Sequence, residues 1–182
     1  MGDPRKIRNK YSRPKRLWDE DRIREDKELR KEYGLKNSSE VWKAADELRK
    51  FRREARRLLS LSEEEREADA RKILAKLTRL GIMKKGGSLD DVLSLSVRDV
   101  LERRLQTMVY RKGLARTIIQ SRQLITHGFI AVGSRRINIP GYIVPVDVED
   151  TIRYAKPIDL SAGMISEREE KKEQTAEGDV SG

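Results

Sequence analysis

The sequence predicts an α+β protein in which amphipathic helices precede a small twisted β-sheet. Apolar residues recur at three- and four-residue steps from Glu40 to about Leu59 and again from Ser62 to Gly81, as on the buried face of a helix. After Gly128 the pattern changes to short runs of β-branched and aromatic residues separated by turn residues. We therefore divide the chain into a basic N-terminal arm (1–39), a small helical domain (40–95), a second domain of two helices packed on a small sheet (96–160) and a charged, flexible tail (161–182).

The first predicted helix has an apolar stripe and a strongly basic opposite face. Val41, Leu48 and Leu58 lie on the stripe, and Trp42 and Phe51 widen it. The opposite face holds seven cations against three acids, a ratio that is poor for ion pairs between helical turns and well suited to phosphates. A face that is merely solvated is the alternative interpretation.

The second and third predicted helices are bounded by capping residues. Ser62 is the expected N-cap of the second helix, with Glu65 at the capping-box position and Gly81 at the end. Ser88 and Asp91 frame a short third helix. These helices complete the predicted helical domain.

Two more helices and the sheet make up the second domain. One helix is expected from Ser96 to about Tyr110 and another from about Ala115 to His127, before Gly128. Strands are predicted at 129–132, 137–139, 142–144 and 151–154, with a turn of Gly133, Ser134, Arg135 and Arg136 between the first two.

The charge of the chain indicates a polyanionic partner. The 182 residues carry a formal charge of +10 with a pI near 9.9. Residues 163–182 contain six acids and three cations, so the remainder carries +13. Solubility alone is the other explanation of a basic pI, so the position of the charges matters more than their number.

The N-terminal arm combines cations with aromatic residues. Residues 1–16 have too little apolar content to fold alone, so we expect them to be disordered in water. Tyr11 and Trp18 favour an arm that folds onto RNA, where aromatic rings stack on bases, over a merely solvated basic tail.

The second domain is expected to present an RNA-binding face. Gly128 makes the turn from helix to strand tight, so that Arg122 or Gln123 can lie on one surface with the arginines of the turn. The helix start near Thr117 would add backbone N–H donors for a phosphate. Such a surface recognises the shape of structured RNA rather than its base sequence. The position of Arg122 close to the apolar stripe leaves a structural role open for that side chain.

The full set of predicted RNA-binding residues spans the arm, the first helix and the second domain. It consists of Arg5, Lys6, Arg8, Lys10, Arg13, Lys15, Arg49, Arg53, Arg56, Arg103, Arg104, Arg116, Thr117, Arg122, Gln123, His127, Arg135 and Arg136.

Several classes of function are disfavoured by composition. The chain has no cysteine, which excludes disulfides, thiolate zinc sites and a cysteine nucleophile. His127 is the only histidine, and a lone histidine beside a helix-ending glycine is more often a cap or an RNA contact than a catalyst. No apolar run is long enough for a membrane span or a signal peptide. We expect no catalytic residues, metal, cofactor or membrane contact, and a cytoplasmic location.

Residues 101–132 resemble a known RNA-binding module. The residues concerned are the run from Leu101 to Leu105, Ala115-Arg116-Thr117, the run from Ser121 to Ile125, Gly128 and Ile130-Ala131-Val132. In these residues the chain closely resembles the S-four RNA-binding module, which is found in ribosomal protein S-four, tyrosyl-tRNA synthetases, pseudouridine synthases and a heat-shock RNA-binding protein.

Other segments narrow the resemblance to one family. Residues 2–6, 32–35, 40–42 and 101–107 are similar to the archaeal and eukaryotic branch of the ribosomal protein S-four family. That resemblance implies a structural constituent of the small subunit that binds 16S rRNA directly, nucleates assembly of the subunit body and contributes to translational accuracy. It also implies contact with ribosomal protein S-five and other small-subunit proteins, and a position near the channel through which mRNA enters.

Two other functions are compatible with an RNA-binding module. An RNA-modifying enzyme is one, because the module often accompanies catalytic domains; the residues before it here read as helices and a basic arm, without a phosphate-binding glycine loop. A non-ribosomal RNA-binding factor is the other. The charge and the apolar pattern of the sequence scarcely distinguish such a factor from a ribosomal protein.

Overall fold

The computed structural model of the chain describes residue 9 and residues 11–84 and 86–156. The predicted RNA-binding residues Arg5, Lys6, Arg8 and Lys10 and the predicted tail lie outside the described residues. The helices are α1 (Glu20–Glu32), α2 (Ser38–Leu59), α3 (Glu63–Arg79), α4 (Leu89–Ser94), α5 (Val97–Glu102), α6 (Leu105–Arg111) and α7 (Ile118–Thr126). The strands are β1 (Ile130–Val132), β2 (Arg135–Arg136) and β3 (Ile152–Tyr154), with a 3-10 helix at Val146–Thr151. This is the α+β architecture that the sequence predicts.

Helix α2 is the centre of the helical part of the fold. It packs against α1, α3, α4 and α5. Its apolar stripe is buried as predicted, with Leu48 and Leu58 almost fully inaccessible. The stripe joins residues of the neighbouring helices, such as Leu77, Val92 and Leu101, in one hydrophobic cluster. Removing this apolar surface from water is the main force that holds α2 in place.

A second hydrophobic cluster holds α6 and α7 against the sheet. It includes Leu105, Val109, Ile125, Ile130 and Val144, all of them fully buried. The sheet has the order β2-β1-β3, and both strand pairs are antiparallel. The residue that turns the chain from α7 into β1 is Gly128, whose φ of +74° favours glycine.

The predicted helix from Ser96 to Tyr110 is wrong in one respect, because the structure divides it into α5 and α6. Arg104 is extended between them, with φ −73° and ψ 144°. The N–H groups of Leu105 and Gln106 donate to the carbonyls of Tyr142 and Pro140 instead of continuing the helix. Helical periodicity could not reveal this break, because it is stabilised by a loop distant in sequence.

Other boundaries also differ from the predictions. Helix α7 begins at Ile118 rather than Ala115. The second strand is Arg135–Arg136, so the predicted strand at 137–139 is wrong. The segment 142–144 forms a single bridge, between Ile143 and Arg104, rather than a strand. Within the segment predicted as a basic arm, the structure has the helix α1.

Candidate nucleic-acid interface

The described part of the arm is anchored on helix α2. The Ser12 hydroxyl donates to Asp46 Oδ1 at 2.8 Å and accepts from Arg49 Nη1 at 2.8 Å. The rings of Tyr11 and Trp42 lie 6.0 Å apart. Burial raises the pKa of the Asp46 carboxyl, but the hydrogen bonds from Ser12 outweigh it, so that the net pKa lies below its ordinary value. The arm therefore leaves α2 from a defined point.

The anchor places exposed cations of the arm and the basic face of α2 in one region of the molecule. Arg13 and Lys15 follow the anchored Ser12 directly and are exposed. On α2, Arg53 and Arg56 are exposed, and neither forms an ion pair with any other described residue. Arg49 differs from them, because it pairs with Asp46 at 2.6 Å while its side chain stays more than half exposed.

A second exposed basic surface lies on the outer face of the sheet. Arg136 on β2 and Arg153 on β3 are both opposite Ala131 on the central strand. Directly opposed residues share a face, so these two arginines flank Ala131 on the side away from the core. We call Arg136 and Arg153, with His127, the outer-sheet surface.

The remaining member of the outer-sheet surface, His127, is exposed at the end of α7. Its ring lies 6.4 Å from that of Phe129, which precedes β1 and is half-buried against the second hydrophobic cluster. A Cβ atom at Gly128 would be 3.2 Å from Arg136 Cδ, so the Arg136 side chain crosses the turn between α7 and β1. The arrangement combines two guanidinium groups, which bind phosphates, with one exposed imidazole ring, which can stack on an unpaired base.

Arg153 is a residue that sequence reasoning missed, and Arg135 lies apart from Arg136. In β3, Arg153 is the one cation between two apolar residues, and only the strand register brings it near Arg136. Arg135 is opposite Val132, whose side chain belongs to the core face. The two arginines of the predicted turn are both exposed, but they point to opposite faces of the sheet.

The start of α7 is capped by its own side chains. The Thr117 hydroxyl accepts from the N–H of Gln120 at 3.1 Å, and Gln120 Oε1 accepts from the N–H of Arg116 at 2.8 Å. Two of the backbone donors expected to bind a phosphate are therefore already satisfied. Arg116, which precedes α7, and Gln123, which lies on it, are both exposed.

Two other predicted RNA-binding arginines meet in a partly buried ion-pair network, which we call the Glu40 hub. Arg122 Nη2 pairs with Glu40 Oε1 at 2.9 Å, and Arg104 Nη2 pairs with Glu40 Oε2. Gln106 accepts from Arg122 Nη1 at 3.3 Å and donates to the carbonyls of Tyr33, Gly34 and Ile118. The hub joins α2 to α6 and α7, and so joins the two hydrophobic clusters.

The charges of the Glu40 hub depend on one another. Burial raises the pKa of the Glu40 carboxyl, but the hydrogen bonds and charges of Arg122 and Arg104 outweigh it, and the net pKa lies below its ordinary value. Burial lowers the pKa of the Arg104 guanidinium, against the opposing effect of Glu40. Among the described residues Arg104 Nε has no hydrogen-bond partner, so Glu40 is the main compensation for this buried charge.

Arg103 also joins separate parts of the fold. Its guanidinium donates to the carbonyls of Leu80 at 3.0 Å and Val144 at 2.9 Å, and pairs with Glu149 at 2.9 Å. It therefore ties the end of α3 to the loop before β3. The sequence predicts that the adjacent Arg103 and Arg104 bind RNA. In the structure both of them have partners within the protein.

No described helix is long and apolar enough to cross a membrane. In the same part of the chain no cluster of three or more histidine or acidic side chains could hold a metal ion.

Comparison with known proteins identifies the second domain and the whole chain. A family model described as the S4 domain matches residues 103–152. The chain is 53% identical over 155 residues to the small ribosomal subunit protein uS4 of Ignicoccus hospitalis, covering 85% of this chain and 93% of that protein. It is 46% identical over 173 residues to the uS4 protein of Hyperthermus butylicus, covering 95% and 98% of the two chains. The uS4 protein of Saccharolobus solfataricus is 50% identical over 155 residues, with coverage of 85% and 86%.

The two helices and small sheet, together with the matching residues, define an S4-domain protein. Within that class, the chain belongs to the archaeal uS4 family of small ribosomal subunit proteins. This confirms the predicted family. The family is structural rather than enzymatic, and its members have a role in the cytoplasmic small ribosomal subunit.

Proposed function

We propose that this protein binds 16S rRNA directly, as a primary rRNA-binding protein that nucleates assembly of the body of the small subunit. In this proposal it also contacts ribosomal protein S-five and other small-subunit proteins, contributes with S-five to translational accuracy, and lies near the channel through which mRNA enters. Membership of the uS4 family supports the ribosomal setting. The proposal for direct rRNA binding rests on the exposed cations of the chain itself.

The observation that carries rRNA binding is the outer-sheet surface. Arg136 and Arg153 are both exposed, and neither forms an ion pair with another described residue. His127, next to the turn that the Arg136 side chain crosses, is exposed as well. A second set of exposed cations, on α2 and the anchored arm, extends the proposed contact to another part of the RNA. Binding through several phosphates in this way is expected to be strong and dependent on salt.

The arginines inside the protein have a different part in this proposal. The relative position of the two hydrophobic clusters is fixed by the ion pairs of Arg103, Arg104 and Arg122. The exposed cations can therefore contact the RNA together. Their replacement is expected to weaken rRNA binding through loss of folded protein. The exposed members of the predicted set are the direct contacts.

The double replacement Arg136→Ala and Arg153→Ala tests the outer-sheet surface. Loss of two phosphate contacts is expected to lower rRNA affinity. The slope of the logarithm of the binding constant against the logarithm of the salt concentration should also become less negative by about 2. The melting temperature should stay near that of the wild type, because both side chains are exposed. The measurement is filter binding to a 16S rRNA transcript at several salt concentrations.

A matched control is available on α3. Arg71→Ala with Lys72→Ala removes the same charge from exposed residues that pair with Glu67 and Asp69. This control should leave the salt dependence close to that of the wild type. If the two double variants weaken binding equally, net charge explains the effect and the outer-sheet surface is not a contact.

Sedimentation distinguishes a ribosomal protein from a non-ribosomal RNA-binding factor. The protein is expected to travel with the small subunit in stoichiometric amounts when cell extracts are separated on a sucrose gradient. A free or substoichiometric profile would contradict the ribosomal proposal and support the factor.

A further inference from the structure

Trp18 is the most exposed large apolar side chain among the described residues. It is 91% exposed, and the next residue before it, Leu17, is 54% exposed. Leaving an indole ring in water forgoes the stabilisation that its burial would provide. A single exposed apolar residue needs no explanation by itself. Its surroundings carry the inference.

The backbone on both sides of Trp18 is held in place. Arg22 Nη2 donates to the carbonyl of Leu17 at 2.9 Å, and Arg22 Nη1 pairs with Asp26 at 2.8 Å. Asp19 is the N-cap residue of α1, and its carbonyl accepts from the N–H of Ile23 at 3.0 Å. The backbone of Trp18 is therefore held at a fixed position at the start of α1.

The other aromatic residues near the arm have partners within the protein. Tyr11 lies against Trp42 and under the ammonium group of Lys43, which is 5.8 Å from the ring centroid. The indole N–H of Trp42 donates to Asp26 at 3.0 Å. Trp18 makes no ring contact or hydrogen bond of this kind with any described residue. The rings of Tyr11 on the arm and Trp42 on α2 thus have partners within the protein, and the ring of Trp18 is left for another molecule.

The charge around Trp18 indicates what that molecule is. Arg13, Lys15 and Arg16 precede it, all are exposed, and none forms an ion pair within the described part of the chain. An aromatic face beside phosphate-binding cations is the arrangement by which proteins hold unpaired nucleotides. A protein partner would have to bring its own acids to meet these three cations.

We propose that Trp18 is a stacking platform for an unpaired base of RNA, with Lys15 and Arg16 on the adjoining phosphates. The inference rests on the proposed rRNA binding and names the kind of RNA element that this region takes: a single-stranded loop, bulge or junction. Stacking on an indole is sequence-tolerant, because every base has a π-face. The site therefore recognises an extruded base rather than a particular nucleotide.

Affinity measurements on the full chain separate stacking from charge. Trp18→Ala is expected to weaken binding to a 16S rRNA transcript by roughly fivefold to hundredfold, with an unchanged salt dependence. Trp18→Tyr should retain most of the affinity, because it keeps an aromatic face. Arg16→Ala should weaken binding and should also make the slope of log affinity against log salt concentration less negative by about 1. Leu17→Ala, which removes a neighbouring exposed side chain without a π-face, is the control and should bind as the wild type does.

Fluorescence reports the contact directly. The chain has two tryptophans, so the difference in emission between wild type and Trp18→Phe belongs to Trp18. Addition of the rRNA transcript should lower the intensity of that emission. The bound RNA should also shield Trp18 from further quenching by added acrylamide. A 20-base-pair blunt RNA duplex, which offers no unpaired base, should do neither at the same degree of binding.

The results that overturn the inference differ from those that overturn the proposed function. If wild type binds the transcript while Trp18→Ala binds equally well and Trp18 emission stays open to acrylamide, the stacking inference is wrong and rRNA binding stands. If Trp18→Ala and Trp18→Tyr are equally weakened, a specific shape and not an aromatic face is required, which also rejects stacking. If the wild type does not bind the transcript at all, the proposed function itself fails.

Discussion

Replacing Glu40 by alanine is expected to lower the free energy of unfolding by about 3–5 kcal/mol, because it removes the carboxylate that compensates a buried arginine. Arg104 is buried and Arg122 is mostly so, and both pair with this one side chain. For a chain of this size the melting temperature should fall by about 10 °C. Chemical denaturation and a thermal melt measure the two quantities.

The ion pair between Glu32 and Arg98 provides a matched control. Their oxygen and nitrogen lie 3.0 Å apart, but both side chains are about half exposed. Glu32→Ala should therefore change the free energy of unfolding by less than about 1 kcal/mol. If Glu40→Ala costs no more than Glu32→Ala, water reaches the Glu40 hub and the hub does not join the two clusters.

The same carboxylate gives a dependence on pH with a definite sign. The pKa of Glu40 in the folded protein lies below its ordinary value of 4.5, so the ionised form stabilises the fold. This contribution is complete above about pH 4.5 and is lost as the pH falls through the lowered pKa. Glu40→Gln is neutral at every pH. The difference in unfolding free energy between wild type and Glu40→Gln should be constant from about pH 5 to 7 and should shrink below 4.5; a difference that persists unchanged in acid would contradict the lowered pKa.

The fold class and the family could be predicted from the sequence because they depend on local patterns. The apolar stripe of α2 recurs at helical spacing, and the Ser88 cap with Asp91 marks the start of α4. The residues that resemble the S-four module are clustered within one stretch of the chain. Signals of this kind need no knowledge of which distant segments meet.

The roles of individual arginines could not be predicted, because they depend on such distant meetings. Arg104 and Glu40 are 64 positions apart, and Arg103 and Glu149 are 46 positions apart. In the sequence each arginine looks like another cation of a basic surface. The helix α1 was missed for a related reason: its acids and bases are mixed, and among its residues only Asp26 is buried.

Replacing Gly81 by alanine is the second change expected to have a large effect, about 2–5 kcal/mol in the free energy of unfolding. Part of this, about 1–2 kcal/mol, is the cost of placing a side chain on backbone with φ +68°. The rest comes from crowding, because the new Cβ atom would lie 2.7 Å from Arg103 Cζ and 2.8 Å from Val146 Cγ2. Arg103 cannot easily move, since its guanidinium is held by Leu80, Val144 and Glu149.

Gly113 separates the two parts of this cost. It has nearly the same backbone conformation, φ +72°, but apart from its chain neighbours no atom of the described residues lies within 4 Å of the position of a Cβ atom. Gly113→Ala should therefore show the backbone cost alone, and chemical denaturation of both variants gives the crowding cost as the difference. Equal losses would mean that the region around Arg103 is loosely packed.

A double replacement then tests whether Arg103 is the group that crowds the new Cβ atom in Gly81→Ala. In a protein that already carries Arg103→Ala, the guanidinium is gone, and Gly81→Ala should cost little more than Gly113→Ala apart from the contact with Val146. Such non-additivity would identify Arg103 as a fixed structural tie between α3 and the loop before β3. Strict additivity, accompanied by a loss of rRNA affinity in Arg103→Ala without a change in melting temperature, would instead assign this side chain to the RNA-binding surface that the sequence alone predicts.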